Sequence, residues 1–213
     1  FIVKPKGYKI KLSKFSKKDR DNNLKMIQYI SKEAEKRGLE FQLAIWTQRY
    51  DFDEVPNANF QILNYPKGLN YAKYCRDSLS LILKKCPNIT GITLRVHVEC
   101  GIPEKDYNFW KIYFQAIKKC GRKLNLDLHA KGIDDKLINI ALKNTDNLSI
   151  SPKYISEHMG LPYHQASIRK QEFPPRKTVN KKWTFSEGSR KFLRYSYGDL
   201  LKENRKYNIL FRI

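Results

Sequence analysis

The sequence predicts an α/β protein, specifically part of a (β/α)8 barrel contributing about four βα units. Three observations carry that prediction. Apolar runs of strand length alternate with segments of helical period. All four histidines, His97, His129, His158 and His164, fall at or just beyond the end of an apolar run, where the sequence turns polar. No glycine-rich phosphate loop follows any of the runs, as a doubly wound nucleotide-binding sheet would require. Barrels gather their chemistry where strands give way to loops, so histidines recurring there with carboxylates mark an active-site face.

The elements follow in order. Asp21 to Arg37 repeats apolar residues at helical spacing (Leu24, Ile27, Ile30, flanked by Met26 and Tyr29) and stops at Gly38. Leu39 to Trp46 is a strand. Asn70 to Lys85 is a helix with Tyr71, Tyr74, Cys75, Leu79 and Ile82 on one side, ending before Pro87. Ile89 to Val98 is strand-like, and Tyr107 to Cys120 is helical as far as Gly121. Leu124 to His129 is a strand, and Asp134 to Lys143 a helix with acidic residues in its first turn. Leu148 to Ser151 is a short strand. Strand starts are separated by about 50, 35 and 24 residues, an alternation that argues for a parallel sheet with helices outside it.

From Gln165 the periodicity is lost through Pro174-Pro175, and the aromatic segment from Trp183 carries a short helix near Glu187 to Tyr195. The expected organisation is therefore residues 1–165 as the C-terminal part of a barrel and 166–213 as an irregular extension leading into a further domain. Four strands make half a barrel, so a fragment of a larger protein is expected.

Lys+Arg 42 against Asp+Glu 21 gives a formal charge of +21. That balance raises nucleic acid or an anionic surface as partner. The charge runs from Lys4 to Arg212 with no compact basic block, so a nucleic-acid module is the weaker alternative. A lysine-rich surface drifting towards AT-rich codons and an anionic polysaccharide partner are the other two accounts. Cys75, Cys86, Cys100 and Cys120 show no CxxC and no Cys/His metal spacing. No stretch reaches the roughly 18 apolar residues of a membrane span.

Glu99 is the foremost catalytic candidate. It closes the run Gly91 to Glu99 and precedes Cys100-Gly101-Ile102-Pro103, a turn that exposes its carboxylate, with Arg95 and His97 on the same expected strand face. The competing account is a structural salt bridge. Asp127 and His129 form a second cluster, two residues apart on one strand face and so about 7 Å apart, with Lys131 beyond them. Asp127 as a mere anchor for Lys131 or Arg95 is the alternative. Lys153, Tyr154, Glu157, His158, His164 and Gln165 form a third cluster, dense in groups that hydrogen-bond hydroxyls; a polar helix N-terminus competes. Trp46, Tyr50 and Trp110 offer flat faces for a sugar ring, although Trp110, within a helix, reads more readily as core.

Glycoside hydrolysis needs two carboxylates, one to deliver a proton and one as base or nucleophile. Glu99 with Asp127 or Glu157 meets that need without a cofactor. The histidines, Gln165 and Tyr154 would then bind hydroxyls, and Arg95, Lys131 and Lys153 a substrate carboxylate. A mixed Glu/Asp/His set equally suits a divalent metal in a sugar isomerase or lyase. Serine or cysteine nucleophiles are weaker readings: Gly-x-Ser-x-Gly is absent.

Several segments resemble a known group. They are Cys75 to Leu79, Cys86 to Thr93, Leu126 to Gly132, Ser151 to Tyr154, Tyr197 to Leu201 and, most specific, Glu157-His158-Met159-Gly160-Leu161-Pro162-Tyr163-His164-Gln165. Together they resemble large glycoside-hydrolase-like proteins of polysaccharide-degrading bacteria, often described as alpha-glucuronidase-like. The similarity runs along nearly the whole chain. It implies a TIM barrel flanked by further domains and a carbohydrate substrate; it carries over no assigned catalytic residues.

Overall fold

The computed structural model describes residues 2–49, 62–130, 133–151 and 205–210. Five parallel strands form its centre: β2 (Phe41–Ile45), β4 (Ile89–Leu94), β5 (Asn125–His129), β6 (Leu148–Ser151) and β7 (Asn208–Ile209), side by side in that order. A separate antiparallel pair joins β1 (Lys11–Leu12) to β3 (Ile62–Leu63). Each new strand is added outside the last, with no reversal of strand order. A doubly wound sheet reverses at a switch point; this sheet winds one way.

Among the described residues five helices accompany the strands: α1 (Lys17–Lys36), α2 (Leu69–Lys85), α3 (Tyr107–Tyr113), α4 (Gln115–Lys118) and α5 (Asp135–Leu142). Helix α2 packs on α3 and α3 on α5, so the crossover helices share one side of the sheet. That side is apolar. Ile92, Leu94, Leu126, Leu128, Leu148 and Ile150 are buried against Leu79, Trp110, Phe114 and Ala141. Trp110 is therefore core and does not present a face to sugar.

The helix starts follow local chemistry. Ser16 caps α1 in a reciprocal box with Asp19 and starts the helix four residues before the expected Asp21. Asp106 and Asp134 cap α3 and α5, accepting from the amides of Phe109 and Leu137. The long helix expected from Tyr107 to Cys120 is divided at Phe114.

Two expectations need correction. The strand from Ile89 ends at Leu94, not Val98; the chain then leaves the ladder and closes a 3₁₀ turn at Val98–Cys100. Strand β7 pairs with β6 in parallel, so the sheet draws residues 208–209 from the segment expected to lie beyond the barrel. The other features of the 166–213 extension, including the helix near Glu187 to Tyr195, lie outside the described residues.

Candidate functional site

The second face of the sheet is polar. Gln42 of β2, Thr93 of β4, Asn125 and Asp127 of β5, and Ser149 and Ser151 of β6 alternate in register with the apolar row. The Gln42 amide donates to Thr93 Oγ1 at 2.6 Å and accepts from Asn125 Nδ2 at 3.2 Å, and Ser149 Oγ donates to Asn125 Oδ1 at 3.0 Å. A hydrogen-bonded row thus crosses four strands. Gly91 makes room for it, since a Cβ there would stand 2.8 Å from Gln42 Oε1. One layer nearer the strands' C-terminal ends, Ser151 Oγ donates to Asp127 Oδ2 at 2.9 Å. Both are fully buried. Buried polar groups of this density are tolerated only when hydrogen-bonded.

Above this row lies the candidate site. Trp46 follows β2, Arg95 follows β4, and His129 closes β5. The Arg95 guanidinium lies 4.8 Å from the centre of the Trp46 ring, a cation–π contact. The Trp46 and His129 rings meet edge to face at 5.5 Å. Arg95 Nη1 is 3.3 Å from Glu99 Oε2, and the Glu99 side chain remains 46% exposed. The contacts Glu99–Arg95–Trp46–His129 therefore link three strand ends, with Asp127 one layer below His129.

Glu99 is held by the turn that carries it. His97 Nδ1 accepts from the Glu99 amide at 3.4 Å, and His97 Nε2 faces Glu104 Oε1 at 2.8 Å. His97 is buried beneath the turn. The Cys100 carbonyl accepts from the amides of Gln48 and Arg49 at 2.8 and 3.1 Å, tying the loop after β2 to the loop after β4. Gly101 sits at φ 82°, and a Cβ there would be 2.1 Å from the Arg49 carbonyl oxygen. Only glycine fits.

Burial pushes the Cys100 thiol up to about 11, which leaves it protonated and a poor nucleophile. The expected alternation of Arg95, His97 and Glu99 along one strand face does not hold, because β4 has already ended; Arg95 and Glu99 meet across the turn instead. Glu104 and Ser151 belong to the arrangement and were not singled out from the sequence. Glu104 follows the turn-forming Pro103, and Ser151 ends a strand in register with His129. Lys131, Lys153, Tyr154, Glu157, His158, His164, Gln165 and Tyr50 lie outside the described residues. Among the described residues no three His, Cys, Asp or Glu side chains are grouped as metal ligands, and no helix is long and apolar enough to cross a membrane.

No family model matches the chain, and no curated protein matches it. Among solved structures it is similar to the agarase AgWH50C at 10% identity and a TM-score of 0.35, across 93% of this chain and 44% of the agarase chain. The chain thus spans less than half of that protein's length. A likeness of this size carries no argument about activity.

Proposed function

We propose that this chain is the site-bearing part of a carbohydrate-active (β/α)8 barrel that hydrolyses a glycosidic bond in a uronic-acid-containing polysaccharide. The observation that carries the reading is the Glu99–Arg95–Trp46–His129 chain of contacts at the C-terminal ends of a singly wound parallel sheet. That is where barrel enzymes hold their catalytic groups. Glu99 is the general acid/base, being the exposed carboxylate of the set. Arg95 is the anchor for a substrate carboxylate, matching its planar fork to two oxygens. A uronate arriving at Arg95 competes with Glu99 for the guanidinium, and Glu99 released from that pair is free to carry the proton to the leaving oxygen. Trp46 provides the apolar wall beside it.

Asp127, enclosed and hydrogen-bonded to Ser151, positions the layer under the site. Glu157 supplies the second carboxylate that the reaction requires. The resemblance to alpha-glucuronidase-like proteins supports the same substrate class.

Glu99→Gln keeps shape and hydrogen-bonding capacity but cannot deliver a proton. In the enzyme it should bind uronate oligosaccharide nearly normally and turn it over at least about 100-fold more slowly, the usual loss for a general acid. Near-normal turnover would remove Glu99 from the role.

A further inference from the structure

The outer, helical side carries a second feature, independent of whether Glu99 is catalytic. Part of the charge that looks dispersed along the sequence is brought together there by the fold. A groove of about 890 Å³ runs between α3–α4 and α5, and Lys105, Lys111, Lys118, Lys136 and Lys143 line it. A second hollow of about 770 Å³ shares Lys118 and Lys143 with the first and continues it towards the opposite end of the helices. Among the described residues none of the five lysines makes an ion pair. Lys136 rests on the Tyr107 ring at 4.0 Å, which still leaves its charge facing the groove.

The pattern is regular. Lys111 and Lys118 stand seven residues apart on one bank, and Lys136 and Lys143 seven apart on the other. Two turns along α5 put Lys136 and Lys143 about 10.5 Å apart, and Lys111 and Lys118 stand on either side of the division between α3 and α4. Amides stand among the lysines: Asn108 and Gln115 on the first bank, Asn139 and Asn144 on the second. The groove begins at Lys105, next to the Glu104 that holds His97 at the rim of the candidate site.

We infer that this groove binds an anionic polysaccharide chain, with lysines on its carboxylates or sulfates and amides on its hydroxyls. The length of the trough suits a polymer rather than a single ion. Single-stranded nucleic acid is the poorer fit, because such sites stack bases on open aromatic faces. The aromatic residue lining the larger hollow is Tyr107, whose ring lies under Lys136 and whose hydroxyl donates to Asp134 at 2.6 Å.

The test uses the whole chain and measures binding, not turnover. Polygalacturonate oligosaccharide should bind in low salt and weaken as salt rises, while a neutral oligosaccharide of equal length should not bind the groove. Lys111→Gln with Lys118→Gln, and separately Lys136→Gln with Lys143→Gln, should each weaken polygalacturonate binding about fivefold, the order expected of two exposed ion pairs. Lys25→Gln with Lys32→Gln, on the outside of α1, removes the same charge at the same spacing and should change affinity less than about twofold. Equal losses from all three double variants would show only diffuse charge attraction and overturn the proposal. Tighter binding of a single-stranded homopolymer RNA, lost with the same two banks, would overturn it in favour of nucleic acid.

Discussion

The two faces of the parallel sheet are built from the same strands and do opposite things. Towards the helices, β4, β5 and β6 present Ile92, Leu94, Leu126, Leu128, Leu148 and Ile150, all buried. On the other face the intervening residues are Thr93, Asn125, Asp127, His129, Ser149 and Ser151; hydrogen bonds join Thr93 and Asn125 through Gln42, Ser149 to Asn125, and Ser151 to Asp127. Parallel strands covered on both sides usually read as continuous apolar runs. Here alternate positions give up hydrophobic stabilisation for a polar layer that supports charged groups above it. The apolar packing lies on one face and the proposed site on the other.

That division can be broken by substitution. Leu128→Ala opens a cavity on the helix side and should cost about 2–5 kcal/mol in urea unfolding. A loss below about 1 kcal/mol would mean that the apolar face is not the stabilising one. Glu99→Gln should raise the activation barrier by about 2.7 kcal/mol, equivalent to its expected 100-fold rate loss. The same variant should leave unfolding stability within about 0.5 kcal/mol of the parent; a large destabilisation would make the Glu99–Arg95 pair structural. Thr93→Val keeps volume but removes the acceptor for Gln42, at a cost of about 1 kcal/mol. If the polar row positions the site, the variant should also shift KM or kcat, a change that a purely structural role would not produce.

The smallest effect concerns pH and sharpens the contrast from the helical layer. Burial pushes the Asp77 carboxyl up, but hydrogen bonds from Arg76 and Tyr8 outweigh it and hold the group below its ordinary value. A carboxyl lowered in the folded state adds stability above its unfolded value and loses that stability as pH falls through the folded one. Asp77→Asn should therefore flatten the acid limb of the stability profile slightly while leaving the pH profile of turnover unchanged. A shifted activity profile would couple the two layers.

The strand and helix order was legible because hydrophobic period is a local signal. The end of β4 was not. Arg95-Val96-His97-Val98-Glu99 keeps the alternation of a strand, yet after the bond from Arg95 to Ile45 the chain turns, directed by His97 beneath it and Gly101 after it. Alternation reports which side chains can be buried, not whether a partner strand continues. Strand β7 was hidden for a related reason: two residues, Asn208 and Ile209, become a strand only through Ser149 and Ile150. The candidate site was half legible. Residue types near strand ends pointed to Arg95, Glu99, Asp127 and His129, but the partners that fix them, Glu104 and Ser151, follow from geometry. The start of α1 was readable after all, in the Ser16–Asp19 capping pair.

The junction at Cys100 has a consequence for how such a protein can change over generations. Its carbonyl binds the Gln48 and Arg49 amides, and the next residue has no room for a side chain because of Arg49. The loops after β2 and β4 therefore behave as one part: lengthening either strips the other of its support. New specificities among descendants of this chain would have to come from insertions elsewhere around the rim, with this corner passed on at fixed length.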